Sequence, residues 1–364
     1  MNEEKLAVLE LFLAADIGAV RFFKLLEVFG NAKNTVTASA QELMSVYGIG
    51  EKTALAVSSR KFAAMAENEI KNADKNNIKI VFYDDADYPE NLKNIPDKPV
   101  VLYIKGDYIP QDFNAAAIVG SRRASAYGKN VTEEFAACFA QNNLTVISGL
   151  ARGVDSYAHK AALENNGRTI AVLGNGLLVN YPPENKKLQD KIPESGAVIS
   201  EFALNVQPNP GTFPRRNRIV AALSKAVLVT EAVLASGALI TAKLAAQYGK
   251  DVFAVPGSIY SNLSKGTNML LENGAFIALN PWHVTSQITG TPIYNSVSQK
   301  DAPKLTSGER KVLEFLENIQ EGAHTETIAQ KLNITIAQTA AILFQLEMKD
   351  LVKAAPGQIY IKVR

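Results

Sequence analysis

The sequence predicts an α/β protein: a doubly wound, mostly parallel sheet, preceded by a helical region and followed by a winged helix. The sheet is predicted because apolar, β-branched runs alternate with segments of helical periodicity between residues 114 and 280. Apolar residues recur at helical spacing before this region, and helical segments lead into a hairpin pattern after residue 304. The predicted strands are AAAIVG, TVISG, TIAVLG, AVISE, AVLVTE and VFAVPG.

The same patterns divide the chain into four segments. We expect a helical domain at residues 1–75, the sheet domain at 76–285, a polar linker at 286–304 and the winged helix at 305–364. Two strand patterns at the start of the second segment, IKIVFYDD and VVLYIKGD, flank a proline-rich loop and are interpreted as a bridge into the sheet.

The helical segment contains two predicted chain reversals. Gly30 is a plausible helix end, and Gly48 and Gly50 in VYGIGEKTALAV favour a tight turn before another helix. Such a turn is typical of a helix-hairpin-helix or SAM-like domain, in which backbone N–H groups point at a phosphate. An ordinary corner between two helices of a small bundle accounts for the pattern equally well.

Composition limits the classes of function. The chain has 364 residues, of which 47% are hydrophobic, so it can bury a large core. Its net charge is only +2, so any contact with nucleic acid must come from a local cluster of cations. The single cysteine, Cys138, excludes an internal disulfide and is predicted to be a buried structural thiol. No uncharged apolar stretch has the length of a membrane span, and we expect a cytoplasmic protein with no membrane contact.

Cations and glycines follow the predicted strands. Parallel strands end at the same edge of a sheet, and ligands of open α/β sheets bind at that edge. The residues therefore predict one rim that binds a polyanion through arginine–phosphate contacts. In chain order they are Ser121, Arg122, Arg123, Gly149, Arg152, Gly153, Tyr181, Lys186, Phe213, Arg215, Arg216, Asn217, Arg218, Ser236 and Gly237.

The stretch TFPRRNRIVAALSK carries the densest charge of this set. No Asp or Glu occurs between Glu201 and Glu231, so its arginines are predicted to be uncompensated. An uncompensated cluster of cations repels itself until an anion binds. The stretch therefore predicts that the partner is polyanionic.

Patterns that would support catalysis are weak. Asp155 and His159 lie four residues apart on one predicted helix face, which favours a structural or loop-orienting hydrogen bond. A metal site is not predicted, since no third or fourth ligand accompanies them. The sequence has no GxGxxG fingerprint, nucleophile elbow or Walker A lysine loop. We therefore expect no catalytic residue, no metal and no cofactor, and a protein that is not an enzyme.

Long motifs run through the chain in the order found in the bacterial DNA-processing protein A family, which the chain closely resembles. They are GSRRASAYG, SGLARGVDSYAHKAAL, AVLGNGL, NYPPEN, ISEF, FPRRNRIVAALS, VTEAVLASGALITA, VFAVPG and SKGTNMLLENGA. The resemblance implies an extended Rossmann-like domain that binds single-stranded DNA and forms homodimers. It further implies a role in natural transformation, in which the protein protects incoming strands and loads the RecA recombinase onto them.

The resemblance also implies which residues bind DNA. Carried over position by position, they are Arg122, Lys186, Arg216 and Asn217, with glycine loops at Gly149–Gly153 and Ser236–Gly237. The cations would then hold backbone phosphates, and the glycine loops would let bases or phosphates come close. Tyr181 or Phe213 would stack on a base. Contacts to the backbone without readout of base edges would accept any sequence.

The predicted recognition helix of the winged helix, TIAQTAAILFQLEMKD, has no Lys or Arg before Lys349. DNA-reading helices usually present cations and amides near their N-termini. The segment therefore favours a partner-binding or weakly DNA-binding module.

Two other functions remain open on the sequence alone. The fold also resembles phosphoribohydrolases of the lysine-decarboxylase-like (LOG) group, which cleave nucleoside monophosphates at the same sheet edge. The corresponding stretch here, TEAVLASGALITA, lacks the paired glycines and the carboxylate that would act on the ribose. The second alternative is a regulatory DNA-binding protein that works through its winged helix.

Overall fold

The computed structural model describes residues 2–14, 17–291, 305–317, 319, 322–349, 351–355, 357 and 359–362. The chain divides into two units, Met1–Ile293 and Tyr294–Arg364. Most of the predicted linker, residues 292–304, lies outside the described residues. Within the described part of the chain, no helix is both long and apolar enough to cross a membrane.

The first unit begins with short helices whose ends follow local capping rules. Asn2 accepts a hydrogen bond from the Lys5 backbone N–H (2.9 Å) at the start of the first helix. Gly30 adopts φ +80° and ends the second, as the sequence predicts. The helices are α1 (Glu3–Leu13), α2 (Ala19–Phe29), α3 (Ala32–Thr37), α4 (Ala40–Met44), α5 (Glu51–Ser58) and α6 (Ala63–Lys75).

The turn between α4 and α5 has the predicted glycine geometry. Gly48 adopts φ +93°, and Gly50 is the residue that caps α5. Val46 and Ile49 are buried on either side of Gly48, while Tyr47 between them is exposed. This hairpin is compatible with both interpretations of the segment, because both need the same tight turn.

A sheet of nine strands forms the centre of this unit, in the order β1-β2-β6-β5-β4-β3-β7-β8-β9 among the described residues. The strands from β3 to β9 pair in parallel, which confirms the predicted mostly parallel sheet. Their bounds are β1 (Ile78–Phe82), β2 (Val101–Gly106), β3 (Ala115–Val119), β4 (Thr145–Ser148), β5 (Thr169–Leu173), β6 (Ala197–Ser200), β7 (Ala226–Val229), β8 (Asp251–Ala254) and β9 (Phe276–Ile277).

Helices cover both faces of this sheet. The helices are α7 (Glu90–Lys93), α8 (Ala126–Gln141), α9 (Val154–Glu164), α10 (Lys186–Lys191), α11 (Thr212–Leu223), α12 (Gly237–Gln247), α13 (Lys265–Glu272) and α14 (Pro281–Thr289). One apolar core packs α8, α9 and α14 against the sheet, and another packs α11 and α12. The sheet is therefore doubly wound, as predicted.

The structure changes two interpretations of the sequence: the bridge before the sheet and the start of the linker. The segments that read as a bridge are β1 and β2, which pair antiparallel with each other; β2 also pairs antiparallel with β6. Both strands therefore extend the sheet itself, because β2 pairs with β6, which is distant in sequence. Helix α14 runs to Thr289, into the segment predicted as linker, and ends at Gly290 with φ +71°. The short edge strand β9 has no counterpart among the predicted strands.

The second unit is the predicted winged helix. Its elements are α15 (Ser307–Glu317), β10 (Ala323–His324), α16 (Thr325–Leu332), α17 (Ile336–Met348), β11 (Val352–Ala355) and β12 (Ile359–Lys362). Strands β11 and β12 pair antiparallel around Gly357, which adopts φ +84°. Of the predicted hairpin turn, Pro356 lies outside the described residues.

The antiparallel extension of the sheet depends on a glycine at the end of β2. Gly106 adopts φ +88°, and a Cβ there would lie 2.3 Å from the Gly196 carbonyl oxygen. We expect Gly106→Ala to lower the free energy of unfolding by about 2 kcal/mol more than Gly249→Ala. Gly249 is the matched control, since it has φ +69° with nothing near its missing Cβ. Chemical denaturation measures both; equal losses would mean that the close approach to Gly196 does not require glycine.

Candidate nucleic-acid interface

A groove lies where the order of the sheet reverses. From β3 the chain passes to β4, β5 and β6 on one side, and it then returns to β7, β8 and β9 on the other. The loops after β3, β4 and β7 separate at this point and line a cavity of about 830 Å³ with the first turns of α11. A crevice at the carboxyl ends of strands, at such a reversal, is where open α/β sheets bind ligands.

Arg216 lies at the base of the groove and is only 5% exposed. Its Nη1 donates to the carbonyl oxygens of Gly149 (2.5 Å) and Val172, at the ends of β4 and β5. Its Nε donates to the Asn217 side-chain oxygen (3.2 Å). No protein acceptor within the described residues pairs with Nη2. One edge of the guanidinium is therefore fixed by the sheet, while Nη2 keeps a free donor in a residue that lines the groove.

Burial and the opposite charge nearby shift the pKa values of Arg216 and its neighbour Asp155 in opposite directions. Burial lowers the pKa of the Arg216 guanidinium and raises the pKa of the Asp155 carboxyl. Each charge favours the ionised form of the other, and backbone N–H groups also stabilise the carboxylate. Each charge therefore offsets part of the cost that burial imposes on the other.

The glycines after β4 make room for protein atoms. A Cβ on Gly149 would lie 2.1 Å from Arg216 Nη1, so this position must be glycine for the guanidinium to reach the sheet. Gly153 adopts φ +72°, and its Cβ would meet the Ser121 carbonyl oxygen at 2.3 Å. Gly149 thus makes room for Arg216, and Gly153 lets the loops after β3 and β4 pack closely. Gly149 also lines the groove, so the expectation that it lets a base or phosphate come close stays a prediction.

Asp155 and His159 act separately. The Asp155 carboxylate accepts from the backbone N–H groups of Gly149 (3.1 Å) and Ala151 (3.3 Å), so it does orient the loop after β4. His159 instead pairs through Nδ1 with the Thr169 hydroxyl (2.7 Å). The predicted hydrogen bond between the two is therefore wrong, since each has a nearer partner. His159 is fully buried, and burial lowers its pKa to about 3.

A cation and two aromatic rings form one wall. The Arg122 guanidinium lies 5.2 Å from the centre of the Phe213 ring, which is 5.7 Å from the ring of Tyr181. Arg123 lines the same groove, and its backbone N–H donates to the Ser121 hydroxyl (3.1 Å). The wall therefore offers positive charge beside stacking surfaces.

The arginines of TFPRRNRIVAALSK are divided by the helical period. Positions 213, 216, 217 and 220 face the groove, which is the spacing of one face of α11. Arg218 points away, is 7% exposed and pairs with Glu201 and with Asp97 (3.1 Å). Arg215 lies over the Phe202 ring and 3.8 Å from Glu201.

The prediction that this cluster is uncompensated is therefore wrong for Arg215 and Arg218. Glu201 and Asp97, which are distant in sequence, fold against them. Two further predicted cations also lie apart from the main groove. Arg152 lines a smaller adjoining pocket and pairs with Glu184. Lys186 lines a separate cavity beside Asp190.

The support that Glu231 gives to the arginine turn and the apolar lining of the groove both escaped prediction. Glu231 is buried and accepts hydrogen bonds from the backbone N–H (2.9 Å) and hydroxyl (2.5 Å) of Ser125, which ties the arginine turn after β3 to the end of β7. The signal was an acid directly after a buried strand in AVLVTE. Ser236 caps α12, and the Gly237 carbonyl oxygen accepts from Asn217 Nδ2 (3.2 Å). Val233, Ile240 and Leu263 form an apolar wall, for which the sequence offers no distinct signal.

Two family models match successive parts of the chain. The model of the DNA recombination-mediator protein A family matches residues 79–289, and that of the DprA winged helix domain matches residues 297–358. The chain belongs to the DNA recombination-mediator protein A family. The resemblance seen in the sequence motifs is thereby confirmed.

Relatives of this family extend over most of the chain. Protein Smf of Synechocystis is 32% identical over an alignment covering 94% of this chain and 95% of the relative. The DNA processing protein DprA of Streptococcus pneumoniae is 47% identical over 52% of this chain and 66% of its own length.

Two solved structures of the family share the fold. The X-ray structure of DprA from Streptococcus pneumoniae has a TM-score of 0.69 at 34% identity, covering 79% of this chain and 98% of that one. DprA from Helicobacter pylori, whose structure concerns its single-stranded DNA binding mode, has a TM-score of 0.53 at 34% identity. That match covers 58% of this chain and 96% of that one.

The buried imidazole of His159 makes stability depend on pH. Its folded pKa of about 3 lies below the ordinary 6.5, so the unfolded chain takes up a proton first as the pH falls. The neutral imidazole makes its full contribution to the free energy of unfolding above pH 6.5. This contribution is lost as the pH falls from 6.5 to about 3. We expect a loss of about 2 kcal/mol in the free energy of unfolding by about pH 5. His159→Gln, which does not titrate, should lose less over this range. The same pH dependence in both proteins would contradict the assignment.

Proposed function

We propose that this protein binds single-stranded DNA in the groove at the carboxyl edge of its sheet. In natural transformation it would protect incoming strands and load RecA onto them. The observation that carries the proposal is Arg216, buried against the strand ends with Nη2 free, beside Arg122 stacked on Phe213. Together they offer fixed phosphate donors next to aromatic surfaces, which is the combination that single-strand binders use.

The charge of the groove supports a polyanionic ligand. The charged residues that line it are Arg122, Arg123, Asp155 and Arg216, and the one acid is engaged by loop N–H groups. The net charge of the chain is only +2, so attraction for phosphate is concentrated at this site. The single-stranded DNA binding mode described for the Helicobacter pylori relative agrees with this choice of ligand.

The proposed contacts are those predicted residues that line the groove. Arg122, Arg123 and Arg216 would hold phosphates, while Tyr181 and Phe213 would stack on bases. Arg215, Arg218 and Lys186 are not included, because they lie elsewhere or are paired. The further residues proposed at the floor and rim are Ser121, Gly149, Asn217, Ser236 and Gly237.

Binding is favoured over hydrolysis of nucleoside monophosphates. An enzyme of that kind needs a carboxylate free to act on the ribose. Here Glu231, in the loop that corresponds, is buried and is already bonded to Ser125. We therefore propose no catalytic role. Incubation with nucleoside monophosphates, with detection of released base, tests this directly.

We expect tight binding to oligo-dT and weak binding to duplex of the same length, since a duplex hides its base faces from Tyr181 and Phe213. Arg122→Ala should lower single-strand affinity about tenfold for every sequence alike. It should also reduce the slope of log affinity against log salt by about 0.7, the value for one phosphate contact on a single strand. Fluorescence anisotropy across a salt series measures both.

The matched control for Arg122→Ala is Lys160→Ala, which removes an exposed cation of α9 that does not line the groove. It should leave affinity and slope nearly unchanged. Equal affinity for single strand and duplex would overturn the proposed ligand. A change in base preference with an unchanged slope would remove Arg122 from the phosphate contacts.

The free edge of the sheet supports a homodimer. Among the residues that the structure describes, strand β9 pairs with β8 alone, and Phe276, Ile277 and Leu279 at this edge are exposed. An unpaired apolar edge invites another chain. We therefore place the contact between two copies there, apart from the groove. Two grooves on one dimer would hold the same strand at high effective concentration.

Leu279→Arg should yield a monomer that keeps its affinity for a short strand but loses cooperative complexes and RecA loading. Sedimentation, gel shift and strand exchange measure these properties. Val28→Arg, at an exposed apolar position of α2, is the control and should stay dimeric. A truncation ending at residue 304 should keep single-strand binding, because α17 carries no Lys or Arg. If the monomer still loads RecA, the proposal that loading needs the dimer contact while the groove alone binds DNA is wrong.

A further inference from the structure

The part of the groove lined by the elements after β7 has no charged residue and is mostly apolar, with Ser236 and Thr241 as its polar side chains. Val233, Ile240 and Leu263 line it, from the loop after β7, the first turn of α12 and the loop before α13. Val233 is 39% exposed and Ile240 is 42% exposed, so these aliphatic side chains face solvent in the free protein. All the charged residues of the groove lie on the side formed by the loops after β3 and β4 and by α11. The groove is thus cationic on one side and aliphatic on the other.

Hydrogen bonds join the two sides at short range. Arg216 Nε donates to Asn217 Oδ1 (3.2 Å), and Asn217 Nδ2 donates to the Gly237 carbonyl oxygen (3.2 Å). Ile240 follows Gly237 by about one helical turn. The Ala232 N–H donates to the Leu263 carbonyl oxygen (2.7 Å), which holds Leu263 against the loop that carries Val233. The aliphatic wall is therefore positioned by the same elements that fix the buried guanidinium.

We propose that this aliphatic wall is a subsite for nucleobases of the strand whose phosphates are held on the cationic side. The inference rests on the proposed function and adds a second part of the groove that receives bases, besides the rings of Tyr181 and Phe213. A nucleotide carries its phosphate and its base on different sides of the sugar, so a strand lying along the groove can present each to its matching wall. Burying base faces against Val233, Ile240 and Leu263 removes apolar surface from water on both partners.

The chemistry of the wall also sets what it can recognise. Aliphatic side chains contact the faces of bases and make no hydrogen bonds to base edges, so the subsite distinguishes a base from no base and accepts any sequence. A protein partner is the other occupant to consider for exposed aliphatic residues. The groove favours DNA, because these aliphatic side chains line the same cavity of about 830 Å³ as Arg122 and Arg216. A protein segment placed there would need to bring a matching negative charge.

The test compares oligo-dT with an abasic strand of equal length, which keeps every phosphate and removes every base. The native chain should prefer oligo-dT by about tenfold or more. The variant carrying both Val233→Ser and Ile240→Ser should lose a clear part of this preference, with the remainder due to stacking on Tyr181 and Phe213, and should keep its salt slope because its phosphate contacts are intact. Both positions are partly exposed, so thermal unfolding should be nearly unchanged. Val28→Ser, at an exposed position of α2, is the matched control and should keep the full preference.

The outcomes separate this inference from the proposed function. If the native chain shows no salt-dependent binding of single strands, both are wrong. If it binds strands and the double variant keeps the native preference for oligo-dT, the base subsite is wrong and the proposed function stands. If the variant binds both strands like the native chain but loses RecA loading or the dimer, the wall is a protein contact. A reduced preference with an unchanged salt slope supports the subsite.

Discussion

The groove depends on the burial of one guanidinium at the ends of two strands. The carbonyl groups of Gly149 and Val172 lie where β4 and β5 stop pairing, and they need donors from elsewhere. Arg216 supplies those donors, so the sheet and not a ligand sets its orientation. Asp155 holds the loop that carries Gly149 and favours the charged state of Arg216. A donor fixed in advance loses little conformational freedom when an anion arrives.

Close packing of the surrounding loops follows from that burial. Gly149 has no side chain because Arg216 occupies the space, and Gly153 has none because the loop after β3 passes against it. Glu231 binds Ser125 from the far side and holds the turn that carries Arg122 and Arg123. The arginine turn is thus attached to the ends of both β4 and β7. Binding residues on loops gain precision when such contacts restrain the loops.

The arginines of α11 have different roles: one lines the candidate binding groove, and another stabilises the fold. On α11, Arg216 lines the groove. Arg218 instead forms a buried ion pair with Glu201 and a second ion pair with Asp97. A buried pair of this kind leaves an uncompensated charge if either partner is lost, so Arg218 serves the integrity of the fold. Of the three arginines in this stretch, only Arg216 lines the groove, together with Arg122 and Arg123 from the loop after β3. A nearly neutral protein can in this way still present a local site for a polyanion.

The sequence by itself determined the fold class and the winged helix, and it predicted the edge of the sheet where the candidate site lies. Alternating apolar runs, helical periodicity and glycine turns are local signals, and the position of a site in an open α/β sheet follows from topology. Tertiary structure alone decided which cations are free, because charge compensation depends on contacts between residues distant in sequence, such as Glu201 with Arg218. It also decided that Gly149 accommodates Arg216, and that Val233, Ile240 and Leu263 meet in one wall. These are relations between separate segments, and a linear pattern does not contain the distances that create them.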